Sequence, residues 1–592
     1  MTDKKSNIKQ KDRVMDTQTK TQVEAGKQKK IKITGAEAIV LSLLEEGVEL
    51  MFGYVGGAIM PVYDVLYDYR DQLHHVMVRH EQGAIHAAQG YARIKKKPGV
   101  CLATSGPGAT NLVTGLADAM LDSTPLVCIT GQVGSHLLGS DAFQETDVVG
   151  VSMPVTKWNA QVTKAEEIPD AIARAFFIAR SGRPGPVLLD ITKDAQFSEL
   201  EYSYEKITQI RSYIPYPKIN DEDVSKAAEL INAAKKPYIL VGQGVLLSGA
   251  QEEFKTFVEK TGIPVGSTLL GLSAFPSNHP LFTGMLGMHG NYAPNINTNK
   301  CDLLIAIGMR FDDRVTGNIN TYAKQAKIIH IDLDRAEIDK NIKTDVAVVA
   351  DAKQVLQALI PLVKSNSHPE WLESFNNLYK YEFEKVIEKD CYPKTGGLRM
   401  GEIVHQISQK TKGEAIIVSD VGQHQMATAR YYQFNKTESQ ITSGGLGTMG
   451  FGLPASIGAK IAAGDERDVY LFVGDGGFQM TIQELGTIKQ LGLKIKIIIL
   501  NNNFLGMVRQ WQDLFFDKRY SYTELVNPDF ITIAKGYGIE GRTISSRENL
   551  EKILDEVIAY DGPYLLEVKV EKEDNVFPMV PAGGTVSEMV LE

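Results

Sequence analysis

The chain has 592 residues, of which 43% are hydrophobic and 23% charged, with a formal net charge of −9. That length allows about four domains with a large core. The mild negative charge speaks against a nucleic-acid surface, and no apolar run approaches the roughly 20 residues needed to span a bilayer. Cys101, Cys128, Cys301 and Cys391 stand far apart with no CxxC pair, as reduced apolar residues of a cytoplasmic protein would.

Residues 1–32 are rich in Lys, Gln, Asp and Thr, and read as a disordered arm without a signal-peptide core. From Ile33 an α/β rhythm begins. Residues 35–46 form an amphipathic helix, and 50–53 form a strand ending in Gly53-Tyr54-Val55-Gly56-Gly57. Arg79-His80-Glu81-Gln82-Gly83 opens a helix of small residues running to Ala92. Glu81 in that setting is either an ordinary helix-start carboxylate or a desolvated acid able to share a proton with a cofactor nitrogen. His80 and His86 have no metal-like partners and read as packing groups. A strand over 100–103, Ser105-Gly106-Pro107-Gly108, a helix through 111–120 and a strand over 126–130 complete the unit.

The middle stretch has strands at 238–241, 303–307 and 328–331. They end in Gly242-Gln243-Gly244, in Gly308-Met309-Arg310 and in Asp332-Leu333-Asp334. Glycines and an acid at strand ends suit a dinucleotide, although the spacing is not GxGxxG. Polar, proline-marked stretches near 203–220 and 363–372 are the expected boundaries.

In the last third, the strand at 416–418 leads to Asp420-Val421-Gly422-Gln423. The strand at 470–473 stops at Gly474-Asp475-Gly476-Gly477. A helix carrying Met480, Leu485, Ile488 and Leu491 and a strand over 495–500 then lead to Asn501-Asn502-Asn503. This βαβ unit makes the two strands parallel neighbours and puts Asp475 and Asn502 side by side at the ligand-binding edge. Glycines admit a bulky anion to the backbone, and a carboxylate with an amide oxygen suits Mg²⁺ on a diphosphate. Because 24 residues, 477–500, lie between Gly476 and the Asn pair, the pattern resembles the thiamine diphosphate motif. Glycine turns recur at matching intervals in the first and last thirds, so these read as related domains flanking a different middle one. The expected architecture is three doubly wound parallel-sheet α/β domains, 33–200, 220–365 and 395–592, the last holding the diphosphate edge.

From about residue 33 onward the chain resembles the acetolactate synthase (acetohydroxyacid synthase) catalytic subunits. Stretches such as HEQGAIHAAQGYAR, ATSGPGATNL, GMRFDDRV, SGGLGTMGFGLPA, GDGGFQMTIQEL and NNNFLGMVRQW carry the likeness in order. Val55 departs from the family's usual proline, which loosens that loop but removes no reacting group. The resemblance implies a transferase of branched-chain amino-acid biosynthesis. Pyruvate is decarboxylated on thiamine diphosphate, and the two-carbon unit passes to pyruvate, giving 2-acetolactate, or to 2-oxobutanoate, giving 2-aceto-2-hydroxybutanoate.

The same resemblance gives Glu81 to the aminopyrimidine, and Asp475, Asn502 and the Phe504 carbonyl to Mg²⁺. It gives Gly422, Gln423 and His424 to the diphosphate and Met449 to the bend of the cofactor. Val421, Gly447, Gly474, Gly476, Gly477, Leu505, Gly506 and Met507 complete that site. Arg314 and Trp511 would select the second substrate, with Phe143, Gln144 and Lys193 near its channel. A structural FAD would lie on Arg183, Gly242, Gly244, Thr268, Leu269, Met288, His289, Gly308, Arg310, Asp312, Arg314, Asp332, Leu333 and Asp351. The family pattern further implies at least a homodimer, with Glu81 and Asp475 meeting across subunits, and a small regulatory subunit as partner. The rival readings are a flavin-dependent pyruvate oxidase and a non-catalytic nucleotide-binding scaffold; loss of Glu81 or Asp475 would mark the scaffold, and both are present.

Overall fold

The computed structural model describes residues 31–592 and contains three parallel sheets of six strands each. Residues 1–30 of the expected arm lie outside the described ones. Ile31 and Lys32, placed with that arm, instead open the strand Ile31–Thr34, which pairs antiparallel with Glu199–Tyr202. The alternation Ile31-Lys32-Ile33 suits a strand that covers one face only.

In the first sheet the spatial order is His74–Met77, Leu50–Gly53, Gly99–Ala103, Leu126–Gln132, Pro186–Thr192 and Trp158–Val162. The last sheet runs Gln440–Thr442, Ile416–Ser419, Val469–Gly474, Ile495–Asn501, Tyr564–Lys569 and Glu540–Ile544. Numbered within each sheet, both follow the order 2-1-3-4-6-5, so the likeness read from glycine spacing is a shared topology. The middle sheet differs. Phe282–Met285, Val265–Ser267, Pro237–Val241, Leu303–Ile307, Lys327–Asp332 and Val346–Val349 make the order 3-2-1-4-5-6 of dinucleotide-binding folds.

The strands Gly99–Ala103, Leu126–Gln132, Leu303–Ile307 and Ile495–Asn501 are buried at every position. Such largely apolar runs are what a sheet covered on both faces requires. Order reverses between the first and third strands of the outer sheets and between the first and fourth of the middle one. Crevices form at those reversals, beyond the carboxyl ends of the strands.

Two helices join the outer domains. Glu81–Lys95 lies against Gly452–Ala463. A Cβ on Gly90 would stand 2.0 Å from the Ala455 carbonyl oxygen, and one on Gly458 would stand 1.8 Å from that of Ala87. The backbones touch, and only glycine permits it.

The single helix expected after Asp475 is broken. Asp475–Met480 ends at Thr481, a 3₁₀ turn spans Ile482–Glu484, and Leu485–Leu491 follows. Leu485 and Ile488 are buried, whereas Met480 and Leu491 are exposed. The four cysteines are free and buried. Among the described residues no helix is long and apolar enough to cross a membrane.

Candidate active site

The switch point of the last sheet brings the turn at 420–423 beside Gly474-Asp475. Asp475 is the first residue of its helix and almost wholly buried. Burial pushes its carboxyl up to about 6, against the hydrogen bond from Asn527. Strand register puts Gly474 opposite Leu500, so Asn501 is level with Asp475 and Asn502 lies one step further out. Asn527 Nδ2 bridges the set, 2.6 Å from Asp475 Oδ2, 3.1 Å from Asn501 Oδ1 and 3.0 Å from Asn503 Oδ1. Asn502 Nδ2 donates to Gln423 Oε1 at 3.2 Å, and its own Oδ1 accepts from the Phe504 N–H at 3.1 Å.

His424 is buried behind the two glycine turns. A Cβ on Gly422 or Gly474 would come within 2.8 or 2.9 Å of its ring. Burial lowers the imidazole to about 3, which keeps it neutral, and its Nε2 has no partner. The bare backbone of the two glycine turns at a helix N-terminus fits a bound anion, while the ring's one N–H goes to the Asp420 backbone and leaves Nε2 as an acceptor. Among the described residues no three His, Cys, Asp or Glu side chains gather as a metal cluster. One carboxylate with one amide oxygen instead suits Mg²⁺ that takes its other ligands from phosphate and water.

These groups line one cavity of about 910 Å³. Val421, Gly422, Gln423, His424, Gly447, Met449, Gly474, Asp475, Gly476, Gly477, Asn502, Phe504, Leu505, Gly506, Met507 and Trp511 all face it. Met507 and Trp511 share the helix Gly506–Phe515, and Trp511 packs on Phe515 with ring centres 5.0 Å apart. The cavity continues into the crevice of the middle sheet, lined by Arg183, Gly244, Thr268, Leu269, Met288, His289, Gly308, Arg310, Asp312, Arg314, Asp332, Leu333 and Asp351.

Gly242 is absent from that lining. A Cβ there would stand 2.2 Å from the Gly308 carbonyl oxygen, so its role is to let the two strand ends close together. Asp351 and Asp312 cap the helices that follow them. Arg183 pairs with Asp334 and Glu337 at 3.2 and 3.0 Å. Burial raises Asp332 to about 7. His289 Nδ1 is buried without a partner, a second orphan facing this crevice. Closely apposed glycine turns, a strand-end acid and the 3-2-1-4-5-6 order fit a dinucleotide.

Glu81, Gln144 and Lys193 lie outside this cavity. Glu81 is buried at the start of its helix and accepts from Asn111 Nδ2 at 3.0 Å. A Cβ on Gly108 would stand 3.4 Å from Glu81 Oε1, and one on Gly106 would stand 2.9 Å from the Gln144 carbonyl oxygen. Glu81 and Gln144 therefore flank one turn at the switch point of the first sheet. Phe143 is 88% exposed beside them, and Lys193 opens the short helix Lys193–Phe197. His80 caps the Glu81 helix, accepting from the Gln82 N–H at 3.1 Å.

Sequence reasoning missed two kinds of residue. Asn527 precedes Pro528 in a run that looks like a plain helix start, and no spacing ties it to Asp475. In the sequence Asp420 looks like no more than part of a turn. Its carboxylate accepts from the N–H groups of Val421, Gly450 and Gly452 and so draws the turn at 450–452 onto the site.

Family models agree with this division. The thiamine pyrophosphate enzyme N-terminal TPP-binding, central and C-terminal TPP-binding domains match residues 33–151, 224–359 and 420–568. The chain is a thiamine pyrophosphate enzyme by class. The acetolactate synthase large subunit of Corynebacterium glutamicum is 46% identical over 570 residues, which are 94% of this chain and 90% of that protein. That of Lactococcus lactis is 44% identical over 95% and 97% of the two chains, and the isozyme 2 large subunit of Escherichia coli is 45% identical over 94% and 99%. Within its class, the chain belongs to the acetolactate synthase large-subunit family.

Proposed function

We propose that the chain joins two 2-oxo acids with loss of CO₂: pyruvate as donor, and pyruvate or 2-oxobutanoate as acceptor. The observation that carries this reading is the single cavity in which the Asp475–Asn502 edge, Met449, Arg314 and Trp511 converge. Thiamine diphosphate, when bound, supplies the electron sink for decarboxylation.

The protein residues do the rest. Asp475, Asn502 and the Phe504 carbonyl hold Mg²⁺, while Gly422, Gln423 and His424 receive the diphosphate. The Glu81 carboxyl exchanges a proton with the aminopyrimidine nitrogen. Arg314 has its side chain 65% exposed, with Nε 3.8 Å from Asp313 Oδ2 in an exposed ion pair and one terminal nitrogen 3.2 Å from Met288 Sδ, so an acceptor carboxylate would compete only with a loose, solvated partner for its guanidinium. Trp511 offers a broad apolar wall to the acceptor's alkyl group. The residues of the middle crevice would hold FAD as a structural group, since the net reaction transfers no electrons.

Glu81 lies outside the cavity of its own chain, which favours a homodimer in which the partner's Glu81 completes each site. A small regulatory subunit and a cytoplasmic location follow from the family reading.

The test is product identification after incubation with pyruvate, thiamine diphosphate, Mg²⁺ and FAD, with and without 2-oxobutanoate. Acetolactate and, with both acids, 2-aceto-2-hydroxybutanoate are expected. Oxygen-dependent peroxide as the main product would instead make the chain an oxidase.

A further inference from the structure

The loop at 443–449 carries Gly447 and Met449 into the cavity, and it is held from behind by the first domain. Asp122 Oδ2 accepts from the Gly444 N–H at 2.9 Å and Oδ1 from the Gly445 N–H at 2.7 Å. Asp118 Oδ1 accepts from the hydroxyls of Ser443 and Thr448, the latter at 3.1 Å. Ser443 Oγ in turn accepts from the Thr448 N–H at 2.8 Å and so closes the loop. Arg93, from the Glu81 helix, pairs with Asp122 at 2.8 Å and donates to the Thr442 carbonyl at 2.6 Å.

Both carboxylates are fully buried. Arg93 pairs with Asp122 alone, and burying two carboxylates is expensive unless donors occupy their oxygens; Asp118 Oδ2 has none, whereas Asp118 Oδ1 and both Asp122 oxygens are occupied. Most of those donors are the loop's own N–H and hydroxyl groups. The loop's course depends on glycine: Gly447 and the following Gly450 sit at φ +73° and +88°, and a Cβ on Gly445 would stand 2.8 Å from Leu121 Cβ. The first domain thus supplies the template, and glycine lets the loop lie against it.

We propose that Asp118, Asp122 and Arg93 are positioning residues for the cofactor: they fix the 443–449 loop so that Met449 and Gly447 present a preformed wall to thiamine diphosphate within the same chain. This rests on the cofactor reading above. Neither carboxylate touches the cavity directly, since neither lines it; the effect runs through the loop. In Asp122→Asn the amide can accept only one of the two backbone bonds and turns an N–H₂ group toward the other donors. In Asp118→Asn the retained Oδ1 still accepts from Ser443 and Thr448, so this variant is the conservative rescue, and Asp118→Ala is its counterpart. Ser443→Ala removes one donor from the loop side and leaves all three charged residues in place, which guards against a misfolded Asp122 variant.

Two measurements test the proposal: hydrogen exchange of the 442–450 segment without cofactor, and thiamine diphosphate affinity by fluorescence titration at saturating Mg²⁺. Asp122→Asn and Asp118→Ala should exchange faster in that segment and bind thiamine diphosphate about tenfold more weakly, the worth of one charged hydrogen bond. Ser443→Ala should move both readouts in the same direction by a smaller amount, and Asp118→Asn should stay within about threefold of the unmodified chain. Faster exchange with unchanged affinity, unchanged exchange, or an Asp118→Asn variant as impaired as Asp118→Ala would overturn the proposal. Failure of the unmodified chain to bind thiamine diphosphate would overturn the cofactor reading and the proposal together, an outcome distinct from a variant effect that is absent against normal binding.

Discussion

Asn527 places its one amide against three oxygens at the Asp475 edge, and so many oxygens turned to one point suit a cation. Asp475→Ala should therefore weaken Mg²⁺ and thiamine diphosphate together, because the ion joins the protein to the diphosphate; titration with unchanged affinity for both would reduce this loop to a turn. Glu81→Gln keeps the shape of the side chain but cannot exchange the proton. It should keep cofactor binding and lose about 10²–10⁴ in turnover; near-normal turnover would remove Glu81 from the chemistry. At Trp511 the expected effect is one of choice. Trp511→Leu should lower the preference for 2-oxobutanoate over pyruvate by roughly 1–3 kcal/mol at most while acetolactate still forms, as read in a competition assay with both acids. Asp475 was legible in the sequence because a strand end, glycines and a fixed separation announce it; Glu81 stood out only as an acid among small residues, and Trp511 came from the family resemblance alone. Asn527, Asp118 and Asp122 were not legible: they act through contacts between segments far apart in the chain, and local pattern carries no trace of such a contact.

Among elements, the Glu81–Lys95 helix is the most constrained. An interior glycine in an exposed helix is improved by alanine by about 1 kcal/mol. At Gly90 and Gly458 the sign should reverse, because the added methyl meets a carbonyl oxygen at 2.0 or 1.8 Å. Gly458→Ala should cost about 1–3 kcal/mol or more, visible as a lowered urea midpoint; a neutral or stabilised variant would mean that the two helices stand further apart.

His86 on the same helix is fully buried, and burial lowers it to about 3 from an ordinary 6.5. Protons therefore favour the unfolded chain. The stability tied to neutral His86 is intact above pH 6.5 and is lost as the pH falls from there toward 3. Relative to His86→Gln, the unmodified protein should lose about 1.4 kcal/mol per pH unit over that window. Parallel stability profiles for the two proteins between pH 7 and 5 would show that His86 titrates in the folded chain as it does in the unfolded one. Helix existence was readable from small-residue crowding, but the break at Thr481 was not, because a periodic apolar pattern survives a short 3₁₀ turn.

Across the whole molecule, the first and third domains share one strand order and the middle one follows another. Glycine spacing revealed the kinship, since turns at equivalent strand ends recur at equal intervals. The dinucleotide order of the middle sheet could not be read, because strand pairing leaves no mark on a strand's own sequence. If each site takes Glu81 from one chain and Asp475 from the other, two inactive variants should complement. Mixing Glu81→Gln with Asp475→Ala under subunit exchange should restore roughly a quarter of the normal rate, since half of the dimers are mixed and each of those keeps one intact site. No recovery after verified exchange would place both groups in one chain's site.

The glycine-lined contact between the outer domains also has a consequence during synthesis. Arg93 reaches a partner 349 positions further along the chain, which at ordinary translation rates emerges on the order of tens of seconds later. Until then the alanine and glycine face of the Glu81 helix has nothing to lie against. The nascent first domain must wait on the ribosome with an adhesive surface open, so chains released early should be found bound to chaperones or in aggregates rather than as a free-standing domain.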